Sequence, residues 1–409
     1  MDAIVIRIIR SCHIINRHFI LLFKIEEKPK GTSKMNFYFS EEQNKLREAV
    51  AAYAKIAGDD PRREIEERDS EFSWDVLSAL GERGWTGVIV PEEYGGMGKG
   101  ALEYTIIMEE TAKELVYGPQ NLIQAQQGLL AVGTEEQKRK WLPELAKGKI
   151  MAAQAISEPD AGSSFQNIQT TAVKDGNEWV LNGLKVHINL GKEAQLMMVL
   201  AKTDKGLTEF LVDKDSKGIR YEKQDPIGLR SAPMYDVHFE DCRIPADSVL
   251  GREGRGIETF MAIFKLSRLG VASQLIGIAR GCLDHAVSFT KSRKVGENRV
   301  SDFQGIQWII AKLTSELEAA KLARNQAAWL HDQKVNHNLE TSIAKYLAGV
   351  VADETVNKAF TLTGSHACYR NRPYDRYVRE VKSLLAGGGS SEVMLNNVAR
   401  EILRPSYHY

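Results

Sequence analysis

Apolar and polar positions along the chain fall into three blocks of different period. Between residues 36 and 150 the spacing is helical. Leu46, Val50 and Tyr53 share one face after Ser40-Glu-Glu-Gln43, which reads as a capping box in which Ser40 accepts from the backbone and Gln43 reaches back. Ser73 is expected to cap a second helix bearing Trp74, Leu77 and Leu80, with Gly84 as its stop. Pro91-Glu-Glu-Tyr-Gly-Gly96 reads as a loop, helical patterning resumes over 102–115, and Thr134-Glu-Glu-Gln137 caps a short helix ending near Gly148. Residues 151–252 carry strand patterning instead. Two alternating runs, Gln169–Val173 and Glu178–Leu181, flank Asp175-Gly176-Asn177, a strong hairpin signal. Asn182-Gly183 reads as a second turn before Lys185–Leu190, and Leu196–Ala201, Glu209–Val212, Val237–Phe239 and Arg243–Pro245 are further short strands. No helix-length segment separates them, so a small antiparallel barrel or sandwich is predicted. Residues 253–409 are helical again and longer. Ile306, Ile310, Leu313, Leu317 and Ala320 form one stripe and Ile343, Leu347 and Val350 another, which predicts a four-helix bundle.

Residues 1–35 stand apart from this pattern. MDAIVIRIIRSCHIINRHFILLFK is apolar, but Arg7, Arg10, His13, Arg17 and His18 interrupt it, so it lacks the ~18 uncharged residues of a membrane span. A cleaved organellar presequence and an amphipathic membrane-surface segment both fit. The reading adopted is an upstream start, with the protein proper beginning near Met35. The chain is 43% hydrophobic and 26% charged, as in a soluble globular protein, and a cytoplasmic location is expected. Lys+Arg and Asp+Glu both number 54, which argues against a nucleic-acid partner. The four cysteines are scattered, without a Cys-x-x-Cys, so neither a disulfide framework nor a metal site is expected.

Candidate chemistry centres on residues 151–191. A polar turn, Ser157-Glu-Pro-Asp-Ala-Gly-Ser163, enters a flat β-rich wall suited to one face of a planar ligand. Further along come Trp179-Val-Leu-Asn-Gly-Leu-Lys185, Gly228-Leu-Arg230 followed by Phe239-Glu-Asp-Cys-Arg-Ile-Pro245, and Arg293 followed by Asp302-Phe-Gln304. In this order the four motifs resemble the acyl-CoA dehydrogenase family of flavoproteins, over residues 36–403. The resemblance implies that family's fold: an N-terminal all-α domain, a central β-domain and a C-terminal four-helix bundle. It also implies FAD, an acyl-CoA or enoyl-CoA substrate, and an electron-transferring flavoprotein as redox partner. A homo-oligomer is implied too, a dimer or tetramer in which a neighbouring subunit completes the FAD site.

Matched position by position, Ile156, Ser157 and Ser163 are expected to line the flavin, and Arg293 to pair with the pyrophosphate. Gln304 is expected at the adenosine end, Gly364, Ser390 and Glu392 in the C-terminal FAD loops, and Arg268 at the substrate. The alternatives are a turn glycine for Gly364, a solvated helix residue for Glu392 and a charged surface for Arg293. Where the family has Trp-x-Thr beside the flavin this chain has His187-Ile-Asn189. Asn189 can still donate through its amide, and His187 is either a titrating group at the flavin or a packing or surface histidine.

The departures concern the base. The family's usual glutamate, in Ile-Tyr-Glu-Gly-Thr, falls on Gly388 of Ala386-Gly-Gly-Gly-Ser390; the alternative position, in Glu-Arg-Leu, falls on Ser267 of Ser267-Arg268-Leu269. Both carboxylate positions are empty, and an unassisted serine hydroxyl cannot remove an α-proton near neutrality. Three functions follow. The first is an acyl-CoA dehydrogenase or enoyl-CoA reductase with a relocated acid/base, for which Glu392, Glu93 and His366 are candidates. The second is a base-less subunit of a hetero-oligomer with a paralogue, and the third a flavin- or CoA-binding scaffold without turnover.

Overall fold

The computed structural model describes residues 38–404, so the readings of residues 1–35 lie outside the described residues. Helix α1 (Glu41–Gly58) opens on the expected capping box: Gln43 N donates to Ser40 Oγ at 3.1 Å and Ser40 N to Gln43 Oε1 at 3.0 Å. Then come α2 (Arg62–Asp69), α3 (Trp74–Glu82), α4 (Ala101–Lys113), α5 (Gln120–Val132) and α6 (Glu135–Ala146), the last capped by Thr134 and Gln137. Ser73 departs from expectation. Its hydroxyl donates to the Glu66 carboxylate, which Arg63 holds at 2.7 Å, and so does not cap α3. Trp74 is 41% exposed, and Val76 joins Leu77 and Leu80 on the buried face in its place.

The strands are β1 (Ala152–Ala155), β2 (Thr171–Asp175), β3 (Glu178–Asn189), β4 (Leu196–Thr203), β5 (Gly206–Asp213), β6 (Ile219–Lys223), β7 (Met234–Pro245) and β8 (Val249–Leu250). They form one sheet in the order β6-β7-β3-β2-β4-β5-β8, with β1 beside β4. The path is open, so this is a bent sandwich and not a closed barrel. Pairing is antiparallel except that β1 and β2 run parallel to β4, and β2 meets β4 through the single pair Thr171↔Lys202. The two halves bend about that contact and pack face to face, Trp179 edge-on to Phe210 at 5.3 Å. Asn182-Gly183 makes a bulge within one continuous β3 and not a turn. Gly183 has φ 152°, and a Cβ there would lie 2.5 Å from Thr170 Oγ1, so the strand passes only because the side chain is absent. Likewise Val237–Phe239 and Arg243–Pro245 belong to one strand, β7, bent at Asp241 (φ 48°).

The C-terminal block begins with α7 (Gly256–Ser292), a helix of 37 residues, followed by the ribbon β9–β10 (Lys294–Val295, Asn298–Arg299). Then come α8 (Gln304–Asp332), α9 (Asn338–Thr363), α10 (Tyr374–Ala386) and α11 (Ser391–Ile402). Leu275 of α7, Leu317 of α8, Ala352 of α9 and Val381 of α10 share one core, which is the predicted four-helix bundle. The predicted α9 stripe holds only in part: Leu347 packs against the bundle core, but Val350 is 45% exposed, and Ala348, Val351, Ala352, Val356 and Ala359 form the buried face. The first half of α7 packs on α4 and α5, with Leu266 and Leu269 against Tyr104 and Ile123. Its Ile263 reaches the core of the sheet.

Candidate functional site

The turn after β1 is held by a buried ion pair. Lys185 Nζ donates to Glu158 Oε1 at 2.8 Å and to Ile156 O at 2.9 Å, with both side chains essentially sealed from solvent. Glu158 also accepts from Gln169 N at 2.6 Å and Thr170 N at 3.0 Å. Burial pushes this carboxyl up, but the bonds from Lys185, Thr170 and the Gln169 N–H together outweigh it and hold the group below the usual carboxylate range. Val186 N donates to Ser157 O at 2.8 Å and ties the turn to β3. Two of the sequence motifs are therefore halves of one device. The sequence reading named neither Glu158 nor Lys185 as a site residue, although both stood in the quoted motifs. Ile156 is buried, Ser157 half-buried and Ser163 exposed along the turn. Asn189 Nδ2 donates to Ala232 O at 3.1 Å, which commits one of its two amide protons. His187 sits at φ 60° on the β3 bulge, exposed, its N–H donating to Asp236 at 3.2 Å.

The two positions where the resemblance puts a base lie on α7 and in the loop after α10, and Arg268 links the two elements. Arg268 Nε donates to Gly388 O at 3.0 Å, and a Cβ on Gly388 would lie 3.5 Å from Arg268 Cγ and 3.6 Å from Val271 Cγ2. Ser267 Oγ accepts from Gln120 Nε2 at 3.0 Å and from Gln124 Nε2 at 2.7 Å, and Gln120 Oε1 accepts from Tyr104 Oη at 2.5 Å. Ser390 caps α11, and Glu392 lies exposed in its first turn, its carboxyl lowered by the α11 backbone and Ser390. Glu392 and Glu93 are exposed, and His366 stacks on Phe289 at 5.0 Å, near the C-terminal end of α7.

That end also carries Arg293, at the C-cap of α7, with Gln304 at the start of α8 and Gly364 beyond α9. All three are exposed, Arg293 makes no ion pair among the described residues, and Gly364 faces open space at φ 58°. The loop bearing Ser163 lies at the other end of α7, where Phe165 meets Phe260 at 4.6 Å. At ~1.5 Å per residue, Phe260 and Arg293 are roughly 50 Å apart along the axis. No single dinucleotide touches both, so these residues could serve FAD only at two separate sites, one at each end. The residues fit FAD on that condition: a free guanidinium and an open glycine at one end, a polar turn and an amide at the other.

A cavity of about 800 Å³ opens beside α5 and α7, one helical turn from Ser267. Lys99, Lys265, Lys334, Asn336, His331 and His337 line it. His331 Nδ1 and His337 Nε2 are 3.1 Å apart, and burial, with the charge on Lys265, lowers both to about 4. Burial raises Asp332, whose carboxylate receives Ala101 N at 2.6 Å, to about 6. The lining is cationic, and the sequence offered no signal for it because the residues come from four separate segments.

A helical block, a bent sheet and a helical bundle joined by one long helix define an acyl-CoA dehydrogenase-type flavoprotein fold. The chain matches the acyl-CoA dehydrogenase N-terminal, middle and C-terminal domains over residues 40–149, 153–242 and 254–403. It is 32% identical to an acryloyl-CoA reductase (NADH) of Anaerotignum propionicum, over 94% of this chain and 100% of that protein. Its identity to the caffeyl-CoA reductase-Etf complex subunit CarC of Acetobacterium woodii is 34%, over 90% of this chain and 100% of that one. Butyryl-CoA dehydrogenase of Megasphaera elsdenii superposes with a TM-score of 0.85 at 28% identity, over 90% of this chain and 100% of its own. The chain belongs to the acyl-CoA dehydrogenase family.

Proposed function

We propose that this chain is an FAD-dependent oxidoreductase acting at the α,β-carbons of a CoA thioester, with its base displaced from both family positions. The observation that carries the reading is the contact of Arg268, next to Ser267 on α7, with Gly388, together with a cationic cavity that Lys265 lines from the same helix. Lys99, Lys265 and Lys334 suit the phosphates of a CoA. Ser157, Ser163 and Asn189 would hold the flavin edge, and Ser390 and Glu392 would contact the cofactor from the bundle. Arg293, Gln304 and Gly364 would hold the pyrophosphate and adenosine ends for a neighbouring subunit. FAD, when bound, supplies the hydride acceptor or donor for the β-carbon. Ser267 does not take the α-proton, because its oxygen already accepts two amide N–H groups that lower its basicity.

Homo-oligomers, dimers or tetramers, follow from a cofactor site split between chains, and an electron-transferring flavoprotein is the proposed redox partner. The relative named as part of an Etf complex supports that choice. A cytoplasmic location is proposed. Among the described residues only α7 is long and apolar enough to cross a membrane, and 78% of its apolar window is buried inside the protein. The second reading is a base-less subunit paired with a paralogue, favoured by the absence, among the described residues, of any carboxylate bonded to Ser267, Arg268 or Gly388. Expression of the chain alone, its flavin spectrum and mass, and an anaerobic screen of acyl- and enoyl-CoAs test both. Bleaching of the flavin by a saturated thioester, or its reoxidation by an enoyl-CoA, supports independent turnover. Flavin bound without turnover until a paralogue is added supports the pair. Colourless protein that binds no thioester rejects the dehydrogenase reading.

A further inference from the structure

Five arginine and lysine side chains are buried among the described residues: Arg63, Lys185, Arg268, Arg324 and Lys345. Three have a carboxylate partner: Arg63 with Glu66 at 2.7 Å, Lys185 with Glu158 at 2.8 Å and Arg324 with Glu109 at 2.6 Å. Arg268 and Lys345 have none, and they are neighbours. Arg268, 8% exposed, spends Nε on Gly388 O, and Lys345, 1% exposed, spends Nζ on Leu385 O at 3.0 Å. Burial and the adjacent Arg268 charge lower Lys345 to about 8, still cationic for the most part at neutral pH. The carbonyls they bind end α10, whose dipole offers only about half a negative charge. Two buried cations therefore face an uncompensated site, an arrangement proteins otherwise avoid.

The remaining groups at the site are donors as well. The two Nη groups of Arg268 have no partner among the described residues. Ser267 Oγ accepts twice, which leaves its own proton to donate outward. Gln124, half-buried, has a second amide proton. The space over Gly388, bounded by Arg268 and Val271 at ordinary contact distance, is free of side chain. We propose that this pocket binds a carboxylate, and that the carboxylate is carried by the acyl group of the substrate: a short dicarboxylic acid joined to CoA at one end. The proposal rests on the thioester reading given above. A side chain from another protein is the weaker occupant, because Lys345 and Ser267 are each 1% exposed, and a small acyl group approaches such residues more readily than a protein surface does.

The test compares binding of malonyl-, succinyl- and glutaryl-CoA with butyryl-CoA to the flavin-loaded protein by calorimetry, beside Arg268→Gln and Gly388→Glu. Charge-assisted hydrogen bonds predict that at least one carboxylated thioester binds roughly tenfold to a hundredfold more tightly than butyryl-CoA. That ratio falls to about one in Arg268→Gln. It falls likewise in Gly388→Glu, which places an internal carboxylate in the pocket and stands in should Arg268→Gln fail to fold. Equal binding of neutral and carboxylated thioesters by the wild type overturns the proposal and leaves the thioester reading intact. If no thioester binds, the thioester reading fails, and thermal melts with free succinate decide the pocket. A rise in Tm in the wild type that Gly388→Glu lacks upholds a carboxylate site; no rise overturns it, as does a pocket already filled by a partner's side chain.

Discussion

Lys185→Met is the sharpest probe of how the flavin-side wall is built. The substitution keeps the length of the side chain but removes the bonds to Glu158 Oε1 and Ile156 O, 2.8 and 2.9 Å in the native protein. Glu158 stays buried with only the Gln169 and Thr170 amides, at 2.6 and 3.0 Å, to hold its charge. Breaking a buried pair on one side costs about 3–5 kcal/mol, a large share of the ~5–15 kcal/mol that stabilises a typical protein. The turn that carries Ser157 and Ser163 should loosen, and flavin should be lost with it. Glu158→Gln combined with Lys185→Met should recover most of the stability, since removing both partners leaves no buried charge. The sign with pH is also set. Glu158 has a folded pKa below its unfolded one, so its contribution is present above the ordinary carboxylate range and is lost as pH falls through the lowered value. Urea unfolding of wild type, single and double variants, with flavin content read beside it, measures all of this. A single variant that costs under about 1 kcal/mol, the range of an exposed pair, and keeps its flavin would refute the reasoning.

Other expectations are equally direct. Gly388→Glu should raise deuterium exchange at the α-carbon of a bound acyl-CoA by ~10²–10⁴-fold, at ~1–2 kcal/mol of strain because φ is 69°; a flavin-bound variant with no gain argues for a differently built pocket. Glu209 is fully buried, accepts from Gln154 at 2.6 Å, and is raised by burial to about 7. Its folded pKa exceeds the unfolded one, so its ionisation costs stability as pH rises from the usual carboxylate range through about 7, and Glu209→Gln should stabilise the protein by ~3 kcal/mol at pH ~8. That gain should vanish in acid, and a pH-independent effect in denaturation curves would contradict the assignment. Ser163→Trp and Arg293→Glu lie at opposite ends of α7, so each alone should lower flavin content. Mixed refolding of the two should restore one intact site per pair of chains, whereas no recovery would mean that the ends do not serve a shared cofactor.

Much of the wall was legible because its determinants are local. Both capping boxes, the hairpin at Gly176-Asn177 and the order of helical, strand and helical blocks depend on residues a few positions apart. The errors share one cause. Asn182-Gly183 has the composition of a turn, but Asn182 bonds across to Asp241 N at 2.8 Å and Gly183 lets Thr170 approach, so the strand continues. On α9 the stripe through Val350 suggested the buried face, and only the packing of the neighbouring helices set that face on Ala348, Val351, Ala352 and Val356. His366 and Glu93 were candidates by residue type alone; the fold sets His366 against Phe289 and leaves Glu93 exposed.

By itself the sequence determined the family, the succession of three blocks, the polar turn at Ser157–Ser163, and a serine and a glycine at positions 267 and 388, where the resemblance puts a glutamate. Each of those follows from residue identity at fixed spacing. Only the tertiary structure decided that Glu158 and Lys185 are partners, that Arg293 and the loop of Ser163 lie at opposite ends of α7, and that Arg268 and Lys345 lie together without a carboxylate among the described residues. The physical reason is that charge compensation is a property of space. A side chain's burial and the nearest opposite charge depend on helices and strands that are distant along the chain and adjacent only when it folds.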